Sequence, residues 1–258
     1  MENYQILHQV RAETPLVHCI TNIVVANFQA NGLLAIGASP VMADAVEEAA
    51  EIAAVADCTV LNIGTLRKDT VEAMILAGRS ANTHGTPIVL DPVGAGATPF
   101  RRGIVFRILN EVDVSLIRCN AGELAAIAGV EWRARGVDAG EGDVDLCSLA
   151  KETAQRLNCL VAVTGAVDIL SDGEQVSEVV GGHSLMSKIT GSGCLLSAVV
   201  GAFLAVRPNQ SFDAAAEALT FYKRAGEKAA QNSQAPGHFA MHFLDELYLL
   251  GEKEKTQI

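Results

Sequence analysis

The chain has 258 residues, of which half are hydrophobic and few are aromatic, and its formal net charge is −11. This length suits one large α/β domain, and the charge argues against a nucleic-acid partner, which would need Lys and Arg to neutralise phosphates. The six cysteines are widely separated and form no C-x-x-C pair, a pattern typical of reduced thiols in a cytosol. Residues 1–13 lack an apolar signal core, and the apolar run 194–206 is too short to span a bilayer. We therefore expect a cytoplasmic protein that does not enter a membrane.

Short β-type runs alternate with longer helical runs through the first 163 residues. Strict alternation of this kind predicts βαβ units around a parallel sheet, with ligands at the carboxyl ends of the strands. An acidic, Gly-rich stretch at 136–143 is the predicted mobile loop. The predicted strands are 16–20, 59–63, 87–90, 114–117 and 160–163, and the predicted helices are 23–36, 45–56, 68–84, 101–110, 123–128 and 145–157.

A different pattern follows in the last third of the chain. Residues 168–171 and 175–180 flank the turn 172–174 and predict a β-hairpin at an antiparallel edge of the sheet. A long apolar helix from Gly193 and two further helices near 212–232 and 239–249 come next, and the tail 252–258 is expected to fray. Because no internal repeat or linker interrupts the chain, we expect a single domain over residues 1–258, with its core at about 14–250.

A small-residue turn, Lys-Ile-Thr-Gly-Ser-Gly-Cys at 188–194, runs directly into the predicted apolar helix. At the positive end of a helix dipole, the backbone N–H groups of Gly191, Ser192 and Gly193 could bind a phosphate or a developing oxyanion. The first helical turn also favours the thiolate of Cys194, with a pKa below about 8.5, which makes it a candidate base or nucleophile. The structural alternative is an ordinary turn followed by an inert core cysteine.

Charged side chains follow two of the predicted strands. Asp91 ends one strand before a Gly-rich turn and could hold a hydrated Mg²⁺, although a turn or cap residue is an equal alternative. Glu123 falls in the first turn of a helix, where an acidic residue is stabilised whatever its function. Arg118 lies at the carboxyl end of a buried strand, where a guanidinium is costly unless it meets an anion such as phosphate.

Three further residues occupy predicted element ends. Thr164 follows the strand 160–163 and is compatible either with a nucleotide contact or with an ordinary turn. Asn22 could hydrogen-bond a small polar ligand, and Met42 could line an apolar pocket. The structural alternatives are a helix N-cap for Asn22 and core filling for Met42.

Five segments occur in this order along the chain: PLVHCITN at 15–22, LDPVGAG at 90–96, NAGE at 120–123, VTGAVD at 163–168 and TGSGC at 190–194. Taken together and in this order, they resemble the hydroxyethylthiazole kinase family. The cysteine that ends the last segment makes the resemblance specific, because most members of the wider ribokinase-like family have Asp there. The resemblance implies a ribokinase-like three-layer α/β/α sandwich with a mostly parallel central sheet and an antiparallel edge. It also implies ATP-dependent phosphorylation of the hydroxyl of 4-methyl-5-(2-hydroxyethyl)thiazole in thiamine biosynthesis.

The same resemblance implies roles for the charged and nucleotide-side residues. Asp91 and Glu123 match the acidic groups of the family's Mg²⁺ region, so Mg²⁺ is the expected metal. Arg118 and Thr164 match positions that contact ATP. Gly122 stands where the family usually has Ser, which leaves the placement of water or metal beside Glu123 open.

The resemblance also assigns the acceptor side of the site and the assembly. Residues 191–193 match the anion hole, and Asn22, Met42 and Gly191 match substrate-pocket positions. Cys194 takes the place of the catalytic base. Because the family forms homotrimers with sites at subunit interfaces, a homotrimer is expected here.

Three other functions stay open at the level of sequence. The chain could be a ribokinase-like kinase for another small alcohol, such as hydroxymethylpyrimidine or a sugar. It could also be a non-catalytic ligand-binding protein on the same fold. A cysteine hydrolase would require a His partner for Cys194, and His183 is the nearest candidate along the chain.

Overall fold

In the computed structural model, which describes residues 4–130 and 145–251, eight strands form one twisted sheet in the order β2-β1-β3-β4-β5-β6-β7-β8. Neighbouring strands from β2 to β6 pair in parallel, and β7 and β8 add an antiparallel hairpin at one edge. The strands are β1 (Leu16–Ile20), β2 (Ser39–Val41), β3 (Cys58–Asn62), β4 (Ile88–Asp91), β5 (Leu116–Asn120), β6 (Leu160–Thr164), β7 (Asp168–Ser171) and β8 (Val176–Val179).

Helices cover both faces of the sheet, which confirms the three-layer α/β/α arrangement. Helices α1, α2, α8, α9 and α10 share one apolar cluster with one face, and α3 to α7 share a second cluster with the other face. Successive strand residues such as Val60 and Leu61 belong to opposite clusters, as the period of two in a strand requires. The helices are α1 (Gln5–Glu13), α2 (Ala26–Ile36), α3 (Ala49–Val55), α4 (Lys68–His84), α5 (Pro99–Glu111), α6 (Ala121–Ala128), α7 (Leu146–Leu157), α8 (Ser192–Val206), α9 (Ser211–Gln231) and α10 (Pro236–Leu249).

The predicted strands and helices all occur, with differences at their ends. Among the strands the largest shift is in β5, which starts two residues later than predicted and continues through Arg118 to Asn120. Polar residues extend this strand because its backbone pairs with β6, where Arg118 lies opposite Ala162 and Asn120 opposite Thr164. The predicted loop 136–143 and tail 252–258 lie outside the described residues.

Two elements were missed by the sequence patterns. Helix α1 is held by tertiary contacts, since the Glu217 carboxylate accepts hydrogen bonds from the backbone N–H groups of Ile6 and Leu7 at 2.9 and 3.0 Å. Strand β2 has only three residues and contains Pro40, so it carries no readable alternation. Its pairing with β1 nevertheless places the following residue, Met42, at the carboxyl edge of the parallel strands.

Helix α8 is the most deeply buried helix that contacts the sheet, and it packs across β1, β3 and β4. No helix in the described ranges is by itself both long and apolar enough to cross a membrane. The pair Ser192–Val206 and Pro208–Gln231, bent by 111°, passes that test together by length and composition alone.

Candidate active site

The amino terminus of α8 lies at the carboxyl edge of the parallel strands. Gly191 is its N-cap and has φ +89°, a left-handed conformation that favours glycine. A Cβ at Gly191 would also lie 2.6 Å from Cγ1 of Val25, so a larger residue does not fit. In the described part of the chain no side chain caps this helix, so its first N–H groups are left for the anion that the sequence predicts there.

The turn is fixed from three directions. The Ser192 hydroxyl donates to the carbonyl of Met186 at 2.7 Å, and the Tyr222 hydroxyl donates to the carbonyl of Ser192. The Gln29 amide donates to the carbonyl of Cys194 at 2.8 Å. Ser192 can thus serve the anion site through its backbone N–H, while its side chain holds the turn in place.

Asp91, the last residue of β4, is fully buried. Its Oδ2 atom accepts hydrogen bonds from Asn62 Nδ2 at 2.7 Å and from Ser197 Oγ at 2.9 Å. Its Oδ1 atom has no hydrogen-bond partner among the described residues and lies 3.6 Å from Nη1 of Arg118. Burial raises the pKa of Asp91 to about 6, although the Arg118 charge opposes the shift. The turn-residue alternative is therefore wrong, since the carboxylate is enclosed by side chains from three elements.

Arg118 lies between the carboxylate and the α8 turn. Its Nη2 atom donates to the Thr164 hydroxyl oxygen, and that hydroxyl donates to the carbonyl of Cys119 at 3.3 Å. A Cβ at Gly193 would lie 2.6 Å from Nη1, so the guanidinium rests against the turn because residue 193 has no side chain. The anion predicted for Arg118 is supplied within the protein by Asp91.

Glu123 lies in the first turn of α6, as the structural alternative expected. Its two carboxylate oxygens accept hydrogen bonds from the N–H groups of Gly94 at 2.8 Å and Asn120 at 2.9 Å. The Asn120 side chain accepts from the N–H of Glu123 at 2.9 Å, completing a capping box at α6. Glu123 also raises the pKa of Asp91, so its charge is felt at the buried carboxylate.

Asn62 was missed by the sequence patterns, yet it connects the two sides of the site. Its side-chain oxygen accepts hydrogen bonds from Asn22 Nδ2 and from the N–H of Gly64, both at 2.9 Å, while its Nδ2 binds Asp91. Asn22 Nδ2 also lies 3.5 Å from Sγ of Cys194. The N-cap alternative for Asn22 is wrong, because Val25 occupies the N-cap of α2.

The predicted lowering of the Cys194 pKa is wrong. Burial raises the pKa of this thiol to about 11, and the Asp91 charge adds to the rise, while Asn62, Arg118 and Asn22 oppose it. Stabilisation of the thiolate by the amino terminus of α8 does not outweigh burial and the Asp91 charge. The thiol is therefore protonated at neutral pH. The hydrolase alternative is not supported either, because the Nδ1 atom of His183 accepts from the N–H of Leu185 at 3.2 Å.

The remaining predicted residue, Met42, follows β2 at the same edge of the sheet as Asn22. It is half-buried and packs against the apolar cluster that contains α8, as the core-filling alternative expected. The next residue is fixed because Nε2 of His18 bonds the carbonyl of Ala43 at 2.7 Å. A cavity of about 910 Å³ opens beside Glu123 and extends to Arg102 and Val130.

The site thus combines an uncapped helix terminus, a buried carboxylate, a guanidinium and a thiol at one sheet edge. The sequence model of the hydroxyethylthiazole kinase family matches residues 7–253. The chain belongs to this family. A hydroxyethylthiazole kinase from an Exiguobacterium species is 56% identical over 247 residues, covering 96% of this chain and 94% of that protein. A hydroxyethylthiazole kinase from Pasteurella multocida is 54% identical, covering 100% of this chain and 97% of that protein.

Solved structures agree with the family and with its fold. The hydroxyethylthiazole kinase protein of Pyrococcus horikoshii OT3 is 42% identical and superposes with a TM-score of 0.89, covering 99% of this chain and 96% of that one. A ribokinase-like superfamily protein of Enterococcus faecalis V583 is 12% identical with a TM-score of 0.65, covering 95% and 94%. At that identity the likeness shows the fold alone, and it confirms the ribokinase-like architecture.

Replacing Asp91 by Asn is expected to remove a pH-dependent loss of stability. Because the carboxyl group ionises near pH 3.8 in the unfolded chain and near pH 6 in the folded protein, the native protein loses stability as pH rises through that interval. Asn cannot ionise, so the free energy of unfolding of the variant rises relative to that of the native protein as pH rises, by about 3 kcal/mol in total at pH 7. Urea unfolding at pH 5 and pH 7.5 measures the change, with Asp245→Asn at an exposed position as control. A stability gain that is absent, or equal at both pH values, would contradict the electrostatic description.

Proposed function

We propose that this chain transfers the γ-phosphoryl group of ATP to the hydroxyl of 4-methyl-5-(2-hydroxyethyl)thiazole, giving the thiazole phosphate and ADP in thiamine biosynthesis. The observation that carries the proposal is the placement of the Cys194 thiol and the Asn22 amide beside an uncapped helix terminus, Arg118 and Asp91. An acceptor alcohol and a phosphoryl group would meet at that point. Family membership supports the thiazole as acceptor.

Phosphoryl transfer requires alignment of the acceptor and neutralisation of charge more than covalent chemistry. The N–H groups of residues 191–193 and the Arg118 guanidinium would hold the transferring group. The acceptor oxygen forms a bond to phosphorus as the bond to the leaving ADP oxygen breaks. Cys194 accepts a hydrogen bond from the hydroxyl and takes its proton only late, in the minor thiolate fraction that a pKa of about 11 allows.

The residues present fit a Mg²⁺ ion, which we propose as the metal. No group of three or more His, Cys, Asp or Glu side chains in the described ranges could enclose a cation. A hydrated Mg²⁺ needs only one or two carboxylates, and the buried Oδ1 of Asp91 has no hydrogen bond to compete with a cation. Glu123 would contribute its charge from the α6 cap. When bound, the ion would neutralise phosphate charge.

The first test is Mg²⁺-dependent formation of ADP from ATP with hydroxyethylthiazole, and with hydroxymethylpyrimidine and ribose as competing acceptors. Turnover selective for the thiazole is expected because the family is named for its action on that alcohol. Selective turnover of another acceptor would retain the kinase mechanism and overturn the substrate. Binding of nucleotide or thiazole without ADP release would favour the ligand-binding alternative.

Substitutions of Cys194 test its role in the transfer. Cys194→Ala is expected to lose activity only in part, because alignment and charge neutralisation do not need the thiol. Cys194→Asp is expected to retain or improve kcat, and its rate should depend less on pH near neutrality because a carboxylate is ionised there. Cys147→Ala, at a distant half-buried thiol on α7, is the control. Full activity of Cys194→Ala would remove the residue from the mechanism.

We also propose a homotrimer with active sites at the subunit interfaces. Large apolar side chains next to Asn22 support this assembly, since Ile23 and Val24 are 74% and 65% exposed. Val24→Asp is expected to dissociate the assembly and lower activity, whereas Val55→Asp, on the other side of the sheet, should leave both unchanged. Light scattering should give three chain masses for the native protein. A fully active monomer would contradict the proposal.

Two broader proposals accompany the assignment. The span of the family match supports a single kinase domain over residues 1–258. The six cysteines are free thiols, each with a pKa raised by burial, which supports a place in the reducing cytoplasm.

A further inference from the structure

Helix α9 carries a buried lysine whose amine serves the opposite side of the site from Cys194. Lys223 is 5% exposed, and its Nζ atom donates to the carbonyls of Gly165 at 3.3 Å, Ala166 at 3.0 Å and Gly181 at 3.4 Å. It also forms an ion pair with Oδ1 of Asp168 at 3.1 Å. A buried amine is tolerated only when its charge and its three donors are matched, as they are here.

The three carbonyl groups that accept from Lys223 belong to two loop segments. Gly165 and Ala166 lie in the turn between β6 and β7, and Gly181 follows β8. Asp168 closes the first loop from its other end, because its Oδ1 atom also accepts from the N–H of Gly165 at 2.9 Å. The pair therefore fixes the shape of the β6–β7 turn and joins it to the segment after β8.

The segment after β8 contains two glycines, whose backbone conformation lets it lie against Lys223. Gly181 and Gly182 have φ of +114° and +80°, and a Cβ on either would lie within 3.7 Å of the Lys223 side chain. The backbone can therefore lie directly on the aliphatic part of the lysine.

The β6–β7 turn begins immediately after Thr164, the residue matched to an ATP contact. Thr164 in turn receives a hydrogen bond from Arg118, which lies 3.6 Å from Asp91. A continuous set of contacts thus leads from α9 through the turn to the charged side of the site. Asn22 follows β1, four strand spacings and roughly 19 Å from β6.

We propose that the buried Lys223–Asp168 pair is a positioning device for the nucleotide, setting the β6–β7 turn and Thr164 for ATP without contacting the acceptor alcohol. This inference rests on the proposed function, in which ATP is the donor. Neither residue is a catalytic residue, because each acts through the turn.

Lys223→Met tests the device, since Met fills similar space without the charge or the donors. The expected result is a rise of about tenfold in KM for ATP and in Kd for ADP measured by calorimetry, a factor worth about 1.4 kcal/mol. KM for hydroxyethylthiazole should change less than twofold. Lys68→Met, at an exposed lysine that begins α4, is the matched control and should change none of these values.

Two further variants separate positioning from stability. Asp168→Asn keeps the size of the side chain and the acceptor for the Gly165 N–H but removes the charge. It should raise KM for ATP and Kd for ADP several-fold. If Lys223→Met does not fold, this variant tests the positioning role in its place. The double variant Lys223→Met/Asp168→Asn leaves no unpaired buried charge. It should regain part of the Tm lost by Lys223→Met and still bind ADP weakly.

The outcomes also distinguish this inference from the proposed function. A native protein that binds neither ATP nor ADP would overturn both. A native protein that binds nucleotide normally, with variants that bind it equally well, would overturn the positioning role alone. Equal increases in both KM values would do the same, because they would indicate a general loss of structure.

Discussion

The buried charge of Asp91 is the constraint on which the rest of the site depends. A carboxylate without solvent is stable only when fixed donors and a nearby cation replace its water. Those groups come from three different elements, because Asn62 ends β3, Ser197 lies on α8 and Arg118 lies on β5. Each of these elements must be correctly placed for the charge to be tolerated, so the carboxylate couples the assembly of the sheet to the assembly of the site.

The groups around Asp91 divide the site by chemistry. Toward β1 they are neutral, since Asn62 leads to Asn22 and to the thiol of Cys194. Toward β6 they are charged or polar, since Arg118 leads to Thr164. In the proposed function, the neutral acceptor alcohol and the anionic donor would thereby have different surroundings on one sheet edge.

The sequence was sufficient to predict the architecture and to predict which strand ends carry polar groups. Hydrophobic runs predict buried strands, and the carboxyl ends of parallel strands meet at one edge of the sheet. For this reason Asp91, Arg118 and Thr164 were expected at that edge. The sequence could not show that Asn22 meets Cys194, because these residues are 172 positions apart and only the folded sheet brings them together. The role of Asn62 was hidden for the same reason. The Cys194 pKa depends on burial and on Asp91, neither of which a helix position reveals.

Helix α8 has two roles that are separated by one turn of helix. In the proposed function its first residues form the anion site, and Ser197 donates to the buried Asp91 carboxylate one turn later. The distance between the proposed phosphate site and Ser197 is therefore set by one rigid helix rather than by the sum of several loop conformations. Because Ser197 Oγ donates to Asp91, a displacement of α8 would shift both the proposed phosphate site and a donor of the buried carboxylate.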